Sequence, residues 1–270
     1  MQTAQVLTSM SGLPRLEARM LLEMVLGKPR EWLLAHDTDP LTPEVAARFL
    51  TLAAQRRQGV PMAHLVGHRE FMGHRLSVSA DVLIPRPETE LLVEMALQSL
   101  PEGAARSLLD LGTGSGAVAI SVALARPAVR VIATDISEAA LAVAQKNAHQ
   151  LSAPVQFWLG SWYEALPVEG RFDVIVSNPP YIARNDPHLS QGDLRFEPDG
   201  ALTDGADGLT ALRQIVTGAP QRLNAGGWLW LEHGYGQGED VAQLLSGMGF
   251  KAVETKQDLA GLPRVTGGSL

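Results

Sequence analysis

The stretch LLDLGTGSGAVAISVALA, Leu108 to Ala125, decides the fold. A strand-like run ends at Leu111, a loop with glycine at 112, 114 and 116 follows, and the apolar run Ala117–Ala125 suits one buried helix. Glycines let a backbone turn tightly and approach a ligand without Cβ clashes. Three of them alternating at a helix N-terminus favour a ligand loop over a plain turn. Gly112, Gly114 and Ala117 also satisfy the looser dinucleotide pattern G-x-G-x-x-G/A.

Outward from this loop the pattern alternates. Further strand-like runs lie at 129–134, 155–159, 172–177 and 227–232, with two more pieces near 249–255 and 263–268. Helical runs are read at 88–99, 137–149, 207–223 and 238–247. With the first strand at 106–111, this predicts an α/β fold: a Rossmann-like, seven-stranded, mostly parallel sheet with helices on both faces.

Before residue 80 the texture is different. Leu16, Met20, Leu21, Met24 and Val25 recur at helical spacing until Gly27 and Pro29. Thr42-Pro43-Glu44 starts a second helix, with a Thr N-cap and Pro at the first helical position. PMAHLVGHREFMGHRLSVSADVLIPRP then breaks into short apolar pieces around Gly67 and Gly73, which reads as a hairpin and linker. The expected organisation is a small helical domain over 1–62, a β-hairpin linker over 63–86 and the α/β domain over 87–270.

Composition narrows the function. The 270 residues carry a formal charge of −7, against a main role in coating nucleic acid. Residues 1–80 hold nine Lys and Arg against seven Asp and Glu (+2), and residues 81–270 hold thirteen against twenty-two (−9). Cysteine is absent, which removes zinc fingers, thiol nucleophiles, iron–sulfur clusters and disulfide scaffolds. His64, His68 and His74 fit no metal-binding spacing, so no metal site is expected. The opening MQTAQVLTSM lacks the basic and apolar regions of a secretory signal, and no run approaches the ~20 apolar residues of a membrane span. A cytoplasmic protein with no membrane partner is expected.

Two acids sharpen the loop. Asp135 ends the second strand, 19 residues after Gly116, where a carboxylate can accept from ribose hydroxyls; NAD and S-adenosylmethionine (SAM) both satisfy it. Asp110, just inside the loop, would repel a pyrophosphate and attract the amino group and sulfonium of SAM. The bland alternative is that Asp110 only accepts from loop amides.

VIVSNPPYIA, Val174 to Ala183, runs a strand straight into Asn178-Pro179-Pro180-Tyr181. Two prolines remove two amide donors, fix two φ angles and hold Asn178 out of the helical region. A stiff turn with free carbonyls, an Asn side-chain acceptor and the flat face of Tyr181 suits the grip of a planar group ending in NH2. The carbonyl of Pro179 and the side-chain oxygen of Asn178 can each take one N–H, and Tyr181 can stack on the group. An amide nitrogen is a poor nucleophile, so orientation and placement must supply much of the rate.

DLGTGSG, Asp135 and SNPPY together resemble the class I SAM-dependent methyltransferases that modify amide or exocyclic amino nitrogens. The whole chain is similar, more narrowly, to the HemK/PrmC family of peptide chain release factor glutamine methyltransferases. The similarity is carried by RRQGVPMAHLVGHREF (Arg56 to Phe71), LIPRPETE (Leu83 to Glu90), QGDLRFEP (Gln191 to Pro198) and LEHGYGQG (Leu231 to Gly238) as well. It implies methyl transfer from SAM to the side-chain amide nitrogen of the GGQ glutamine in bacterial class 1 release factors, leaving S-adenosylhomocysteine. It implies that Gly112, Thr113, Gly114, Ser115 and Gly116 bound the methionine moiety, that Asp135 holds the ribose, that Trp162 lies near the adenine and that Phe71 packs near the cofactor. Asn178 would touch both SAM and the substrate amide; Asn178, Pro179, Pro180 and Tyr181 would form the glutamine pocket, with Asn178, Pro179 and Tyr181 carrying the catalysis. The helical N-terminal domain would recognise the substrate. The family often has an acid just before the Trp, where this chain has Ser161.

Arg56-Arg57 reads as a solvated helix end, Arg86 and Glu88 as structural linker residues, and Asp193, Arg195 and Glu197 as ordering a loop over the substrate peptide. Asp204-Gly205 and Asp207-Gly208 read as turns. Other functions consistent with the residues are glutamine methylation of a ribosomal protein, adenine N6 methylation of nucleic acid, and a non-enzymatic SAM-binding or ribosome-docking module. A dehydrogenase is the weakest.

Overall fold

The computed structural model describes residues 2–167 and 170–270; Met1, Val168 and Glu169, inside the expected 1–62 and 87–270 domains, lie outside the described residues. The chain forms two compact units: Met1–His68 with Gln191–Phe196, and Arg69–Ser190 with Glu197–Leu270.

The first unit contains helices α1 (Ala4–Met10), α2 (Arg15–Leu26), α3 (Arg30–Ala35), α4 (Pro43–Arg57) and α5 (Met62–Val66). Thr42 caps α4 by accepting from the Val45 amide, with Pro43 in the first turn, as its sequence predicts. Leu7, Leu21, Leu22, Phe49 and Ala53 meet in one apolar core. Residues 62–66 are helical although the sequence reads as hairpin and linker there. Pro61 precedes the turn, and Gly67, at φ 78°, closes it in the left-handed conformation that terminates helices.

Arg57 at the helix end is exposed, as expected, but Arg56 is half-buried and paired. Arg56 donates to both carboxylate oxygens of Glu17 at 2.9 and 2.8 Å and to the Val60 carbonyl at 3.1 Å. Arg57 donates to the Ser11 carbonyl. A half-buried guanidinium requires such partners. The pairing holds the Glu17 carboxyl below its usual range. Within the same unit Arg56 also faces Asp193 at 3.8 Å, and Arg195 donates to the Gln58 carbonyl at 2.9 Å.

The second unit starts with a hairpin, β1 (His68–Phe71) and β2 (His74–Ser77), joined by Met72 and Gly73, both at positive φ. Helix α6 (Glu90–Gln98) follows. Then come β3 (Ser107–Leu111), α7 (Ala117–Ala125), β4 (Arg130–Asp135), α8 (Glu138–Leu151), β5 (Val155–Leu159) and β6 (Phe172–Ser177). The chain closes with α9 (Asp199–Leu202), α10 (Thr210–Gly218), β7 (Leu223–Glu232), α11 (Gly238–Gly247), β8 (Lys251–Gln257) and β9 (Pro263–Ser269). No helix of the described residues is long and apolar enough to cross a membrane.

The seven strands lie in the order β5-β4-β3-β6-β7-β9-β8. Pairs β3–β4, β4–β5, β3–β6 and β6–β7 are parallel, while β9 runs antiparallel to β7 and β8. Residues alternate between two apolar layers, as the period of a strand requires. Leu108, Val131, Val174 and Val176 pack with Leu92 and Val93 of α6 and Ile120 and Val122 of α7. Leu109, Ile132, Ile175 and Leu229 face the other way, toward Leu212 and Ile215 of α10 and Val241 and Leu245 of α11. Helix α10 starts at Thr210 rather than at 207. The Asp204 carboxylate accepts from the amides of Ala206, Gly208 and Thr210 and makes residues 204–208 a turn.

β3 is the point where strand order reverses direction, so the loop after it opens into a crevice at the carboxyl edge of the sheet. A fully buried amide ties the hairpin to this loop. Asn147 of α8 accepts from the Ser77 amide at 2.7 Å and donates to the carbonyls of Ser77 and Ser115 at 3.0 and 2.9 Å. Gly116 holds the base of α7 against α8: its φ is 83°, and a Cβ there would lie 2.8 Å from Ile120 Cδ1 and 3.2 Å from Ala144 Cβ. Gly116→Ala is expected to lower stability by roughly 2–4 kcal/mol through left-handed strain plus overpacking. Urea unfolding checks this, as a lower midpoint at unchanged slope.

Candidate active site

The glycine loop is pinned to the end of β4. The amides of Gly112 and Thr113 both donate to the Thr134 carbonyl, at 2.9 and 3.0 Å. Asp135 completes the link, accepting from the Gly114 amide through Oδ2 and from the Ser137 amide through Oδ1, each at 2.9 Å. A carboxylate oxygen has more than one acceptor site, so Asp135 can still take hydroxyl donors from a guest. Gly112 is glycine for a local reason: a Cβ would lie 3.3 Å from the Trp162 ring. Trp162 itself holds φ 45°, uncommon for so bulky a residue, with its indole N–H donating to Gln214 at 3.0 Å.

Asp110 is 2% exposed. Burial pushes its carboxyl up to about 6, against the opposing hydrogen bonds from the Thr113 hydroxyl (2.7 Å) and the Ala119 amide (3.3 Å). It therefore does accept within the loop, yet it also lines the cavity that the loop borders.

That cavity measures about 270 Å³ and lies within the second unit. Gly112, Thr113, Gly114 and Ser115 border it together with Asp110, Asp135 and Trp162. Asn178 and Pro180 border it from the end of β6. Four expected site residues stand outside its lining. Phe71 is 1% exposed in the core with Leu76 and Leu92, because its β-hairpin position points it into the apolar layer rather than at a ligand. Gly116 serves helix packing, as above. Pro179 is buried, and Tyr181 is half-buried against the second apolar layer. Ser161 does border the cavity.

Sequence reading missed several wall residues. Val82, Leu83 and Pro85 come from the stretch read as linker, and Gly200 and Ala201 from α9. Ile136, 75% exposed next to Asp135, adds an apolar rim. Arg86 does have the structural role expected: it pairs with Glu197, 6% exposed, which also accepts from the Ile84 amide at 2.8 Å. Thr89, 5% exposed, gave no signal of its own in sequence. Among the described residues no group of three or more His, Asp or Glu could hold a metal ion.

A buried polar cluster adjoins the turn, and its Thr89 also borders the cavity. Asn178 Nδ2 donates to Thr89 Oγ1 at 3.2 Å. The Tyr181 hydroxyl donates to Glu232 Oε1, at the end of β7, at 3.4 Å. Glu232 is 1% exposed, and its Oε2 has no partner among the described residues. Burial pushes its carboxyl up to about 7 despite nearby Thr89 and Arg264. Burial, with Glu232 beside it, also pushes the Tyr181 hydroxyl up.

A seven-stranded sheet with one antiparallel strand, a glycine loop and an acid at the switch point define a class I methyltransferase. Family comparison agrees: residues 88–192 match the methyltransferase small domain and residues 1–67 the PrmC N-terminal domain. A release factor glutamine methyltransferase of Bordetella pertussis is 61% identical over 96% of this chain and 96% of its own. One of Burkholderia pseudomallei is 52% identical over 99% and 96%. Among solved structures, the Thermus thermophilus 16S rRNA N2 G1207 methyltransferase in complex with AdoMet and guanosine shares the fold, with TM-score 0.53 and 24% identity over 75% of this chain and 49% of that one. The chain belongs to the release factor glutamine methyltransferase family.

The raised Glu232 pKa makes a stability prediction. The folded state holds the proton more tightly than the unfolded chain, so stability is full below about 4.5 and declines as pH rises to about 7. Glu232→Gln is expected to remove that slope, gaining relative to the parent by up to about 3 kcal/mol between these limits. Unfolding midpoints measured from pH 4.5 to 7.5 check it.

Proposed function

We propose that this enzyme transfers a methyl group from SAM to the side-chain amide nitrogen (N5) of the glutamine in the GGQ motif of class 1 peptide chain release factors. The observation that carries this reading is Asn178 at the wall of a cavity whose other walls are the glycine loop, Asp110 and Asp135. When bound, SAM supplies an electrophilic methyl on a positively charged sulfur and leaves as S-adenosylhomocysteine.

Each wall fits a part of that donor. Gly112 to Ser115 let backbone approach its methionine end, where the buried Asp110 faces positive charge. Asp135 takes ribose hydroxyls. Trp162 and the exposed Ile136 offer apolar faces to the adenine. Ser161 can accept from the adenine amino group in place of the more usual acid.

The glutamine amide is gripped by Asn178 and the Pro179 carbonyl. Pro180 walls the pocket, and Tyr181 sets the rigid end of the turn. Accepting both N–H groups turns the nitrogen's lone pair toward the methyl carbon, and the proton leaves after alkylation. No strong base is needed; alignment supplies the acceleration.

The helical unit is the substrate-recognition element, joined through the hairpin and linker to the methyltransferase domain that starts near residue 87. Its separate family match over residues 1–67 supports this. The partner is the release factor, not nucleic acid or a membrane. The net charge of −7 supports that choice, and a translation factor as substrate puts the enzyme in the cytoplasm.

Labelled SAM with a class 1 release factor tests the reading, using mass spectrometry to locate the methyl group. Label on the GGQ glutamine is expected, and equal labelling of a factor with GGQ changed to GGA would overturn it. Asn178→Ala is expected to lower kcat by at least about 100-fold, the scale of losing one aligned polar contact to the reacting group. Donor binding should depend on pH as well. Asp110 is neutral below about 6 and must ionise to face a cation, so SAM binding tightens as pH rises from 5 to 7. Calorimetry should find proton release near pH 5.5, absent in Asp110→Asn.

A further inference from the structure

Two stretches of the cavity wall have little secondary structure to hold them. Val82, Leu83 and Pro85 come from a segment that belongs to no helix or sheet, and Pro198, Gly200 and Ala201 from the single turn of α9 and the residue before it. One side chain joins the two stretches. Glu197 Oε2 accepts from the Ile84 amide at 2.8 Å, and Oε1 accepts from the Arg86 guanidinium. Ile84 and Arg86 flank Pro85 on one wall, and Glu197 directly precedes Pro198 on the other.

The Glu197 side chain is fully buried, against 28% exposure for that of Arg86. A carboxylate there carries a desolvation cost that apolar packing would avoid. What it provides is reach in two directions. One oxygen serves a backbone donor that no ladder satisfies, and the other a guanidinium. The far end of the second wall is tied as well. The Ile182 amide, one residue beyond the Asn178–Tyr181 turn, donates to the Leu202 carbonyl at 3.0 Å, and Ile182 forms an isolated bridge with Thr203. Residues 197–203 are thus a strap, held to the 82–86 stretch at one end and to the substrate turn at the other.

We propose that Glu197 is a positioning residue for the methyl donor: by clasping the 82–85 wall to the 198–201 wall it keeps the cavity formed before the donor arrives, and so sets how tightly the donor is held. The glycine loop has its own lock on β4 and does not need this clasp. A wall that must be ordered during binding weakens affinity by the fraction of time it stands formed. The hydrogen bonds of Glu197 go to Ile84 and Arg86 and not to Asn178, so a saturated cavity should still align the substrate amide. The inference rests on SAM as the donor and not on the identity of the acceptor.

Calorimetric titration of the full chain with SAM reads the affinity directly. Glu197→Gln keeps the shape but offers one oxygen in place of two, so its NH2 end must face a donor, either the Ile84 amide or the Arg86 guanidinium. It is expected to raise the SAM Kd by about tenfold or more, as for walls that stand formed a tenth of the time. With a class 1 release factor, the KM for SAM should rise in step while kcat at saturating SAM stays within about threefold of the parent. Arg86→Met leaves the Ile84 bond in place and should weaken SAM binding less. The double variant should lose less than the product of the two single losses, since both break one clasp. Asp173→Asn is the control. Asp173 also accepts from a backbone amide, that of Ser107 at 2.8 Å, and from an arginine, Arg106 at 2.9 Å, at the amino ends of β3 and β6 and outside the cavity lining. Its SAM Kd should match the parent.

A parental SAM Kd in Glu197→Gln would overturn the proposal. So would an equal loss in Asp173→Asn, which would make the effect one of general stability, or a fall in kcat with the Kd unchanged. If Glu197→Gln does not fold, Arg86→Met decides, and a parental Kd there counts against the clasp. If the parent binds no SAM, the donor reading fails on its own, and hydrogen exchange of the ligand-free chain tests the clasp. Exchange within 82–86 and 198–203 should quicken in Glu197→Gln and not in Asp173→Asn. Unchanged exchange in Glu197→Gln would refute it.

Discussion

The structure of the site depends on one lock, between the glycine loop and the end of β4. Two loop amides converge on the Thr134 carbonyl, and a third meets the Asp135 carboxylate. Without that lock the loop would be a free connection between β3 and α7, and Asp135 an unplaced surface acid. With it, the loop and the acid are one rigid object at the switch point of the sheet. Trp162 is drawn into the same object: Gly112 leaves room for its ring, and its carbonyl accepts from Thr134 Oγ1 at 3.3 Å. The left-handed backbone of Trp162 is a cost held by these neighbours.

The site also keeps two buried carboxyl groups, Asp110 and Glu232, each pushed up by loss of solvent. A core built for stability alone would not hold them. Asp110 faces the cavity and stores a preference for positive charge that a guest can satisfy. Glu232 faces no guest. It accepts from the Tyr181 hydroxyl at the end of the turn.

The readable parts of the sequence were those in which backbone chemistry is local. Glycines at 112 and 114, Asp135 one strand later and the two prolines after Asn178 each constrain their own few residues, and the structure gathers the two glycines, Asp135, Asn178 and Pro180 around one cavity. The sheet and its two helical layers followed from alternation for the same reason. What sequence missed is held by partners far along the chain. Thr89 meets Asn178 across 89 positions, Arg86 meets Glu197 across 111, and Arg56 meets Glu17 across 39. No periodicity or turn signal encodes such pairs, so Arg56 reads as solvated and Thr89 as an unremarkable helix start. Phe71 failed differently: its hairpin was legible, but which face of that hairpin enters the core was not.

The proposed grip of the turn would be indifferent to what carries the NH2 group. An acceptor pair set by Asn178 and the Pro179 carbonyl would serve a carboxamide or an adenine amino group equally, because both are planar and both offer two hydrogens. Discrimination must therefore be exerted away from the reacting nitrogen. A nucleic-acid substrate would bring phosphates to a chain of net charge −7 whose surplus of acid lies in residues 81–270, the part that holds the cavity. A protein substrate brings no such penalty and can spread its binding over a separate surface. Binding energy from remote contacts can then be used to hold a weak nucleophile in line. On the proposed reading, a turn that aligns the nitrogen without selecting its carrier leaves the choice of substrate to contacts made elsewhere on the chain.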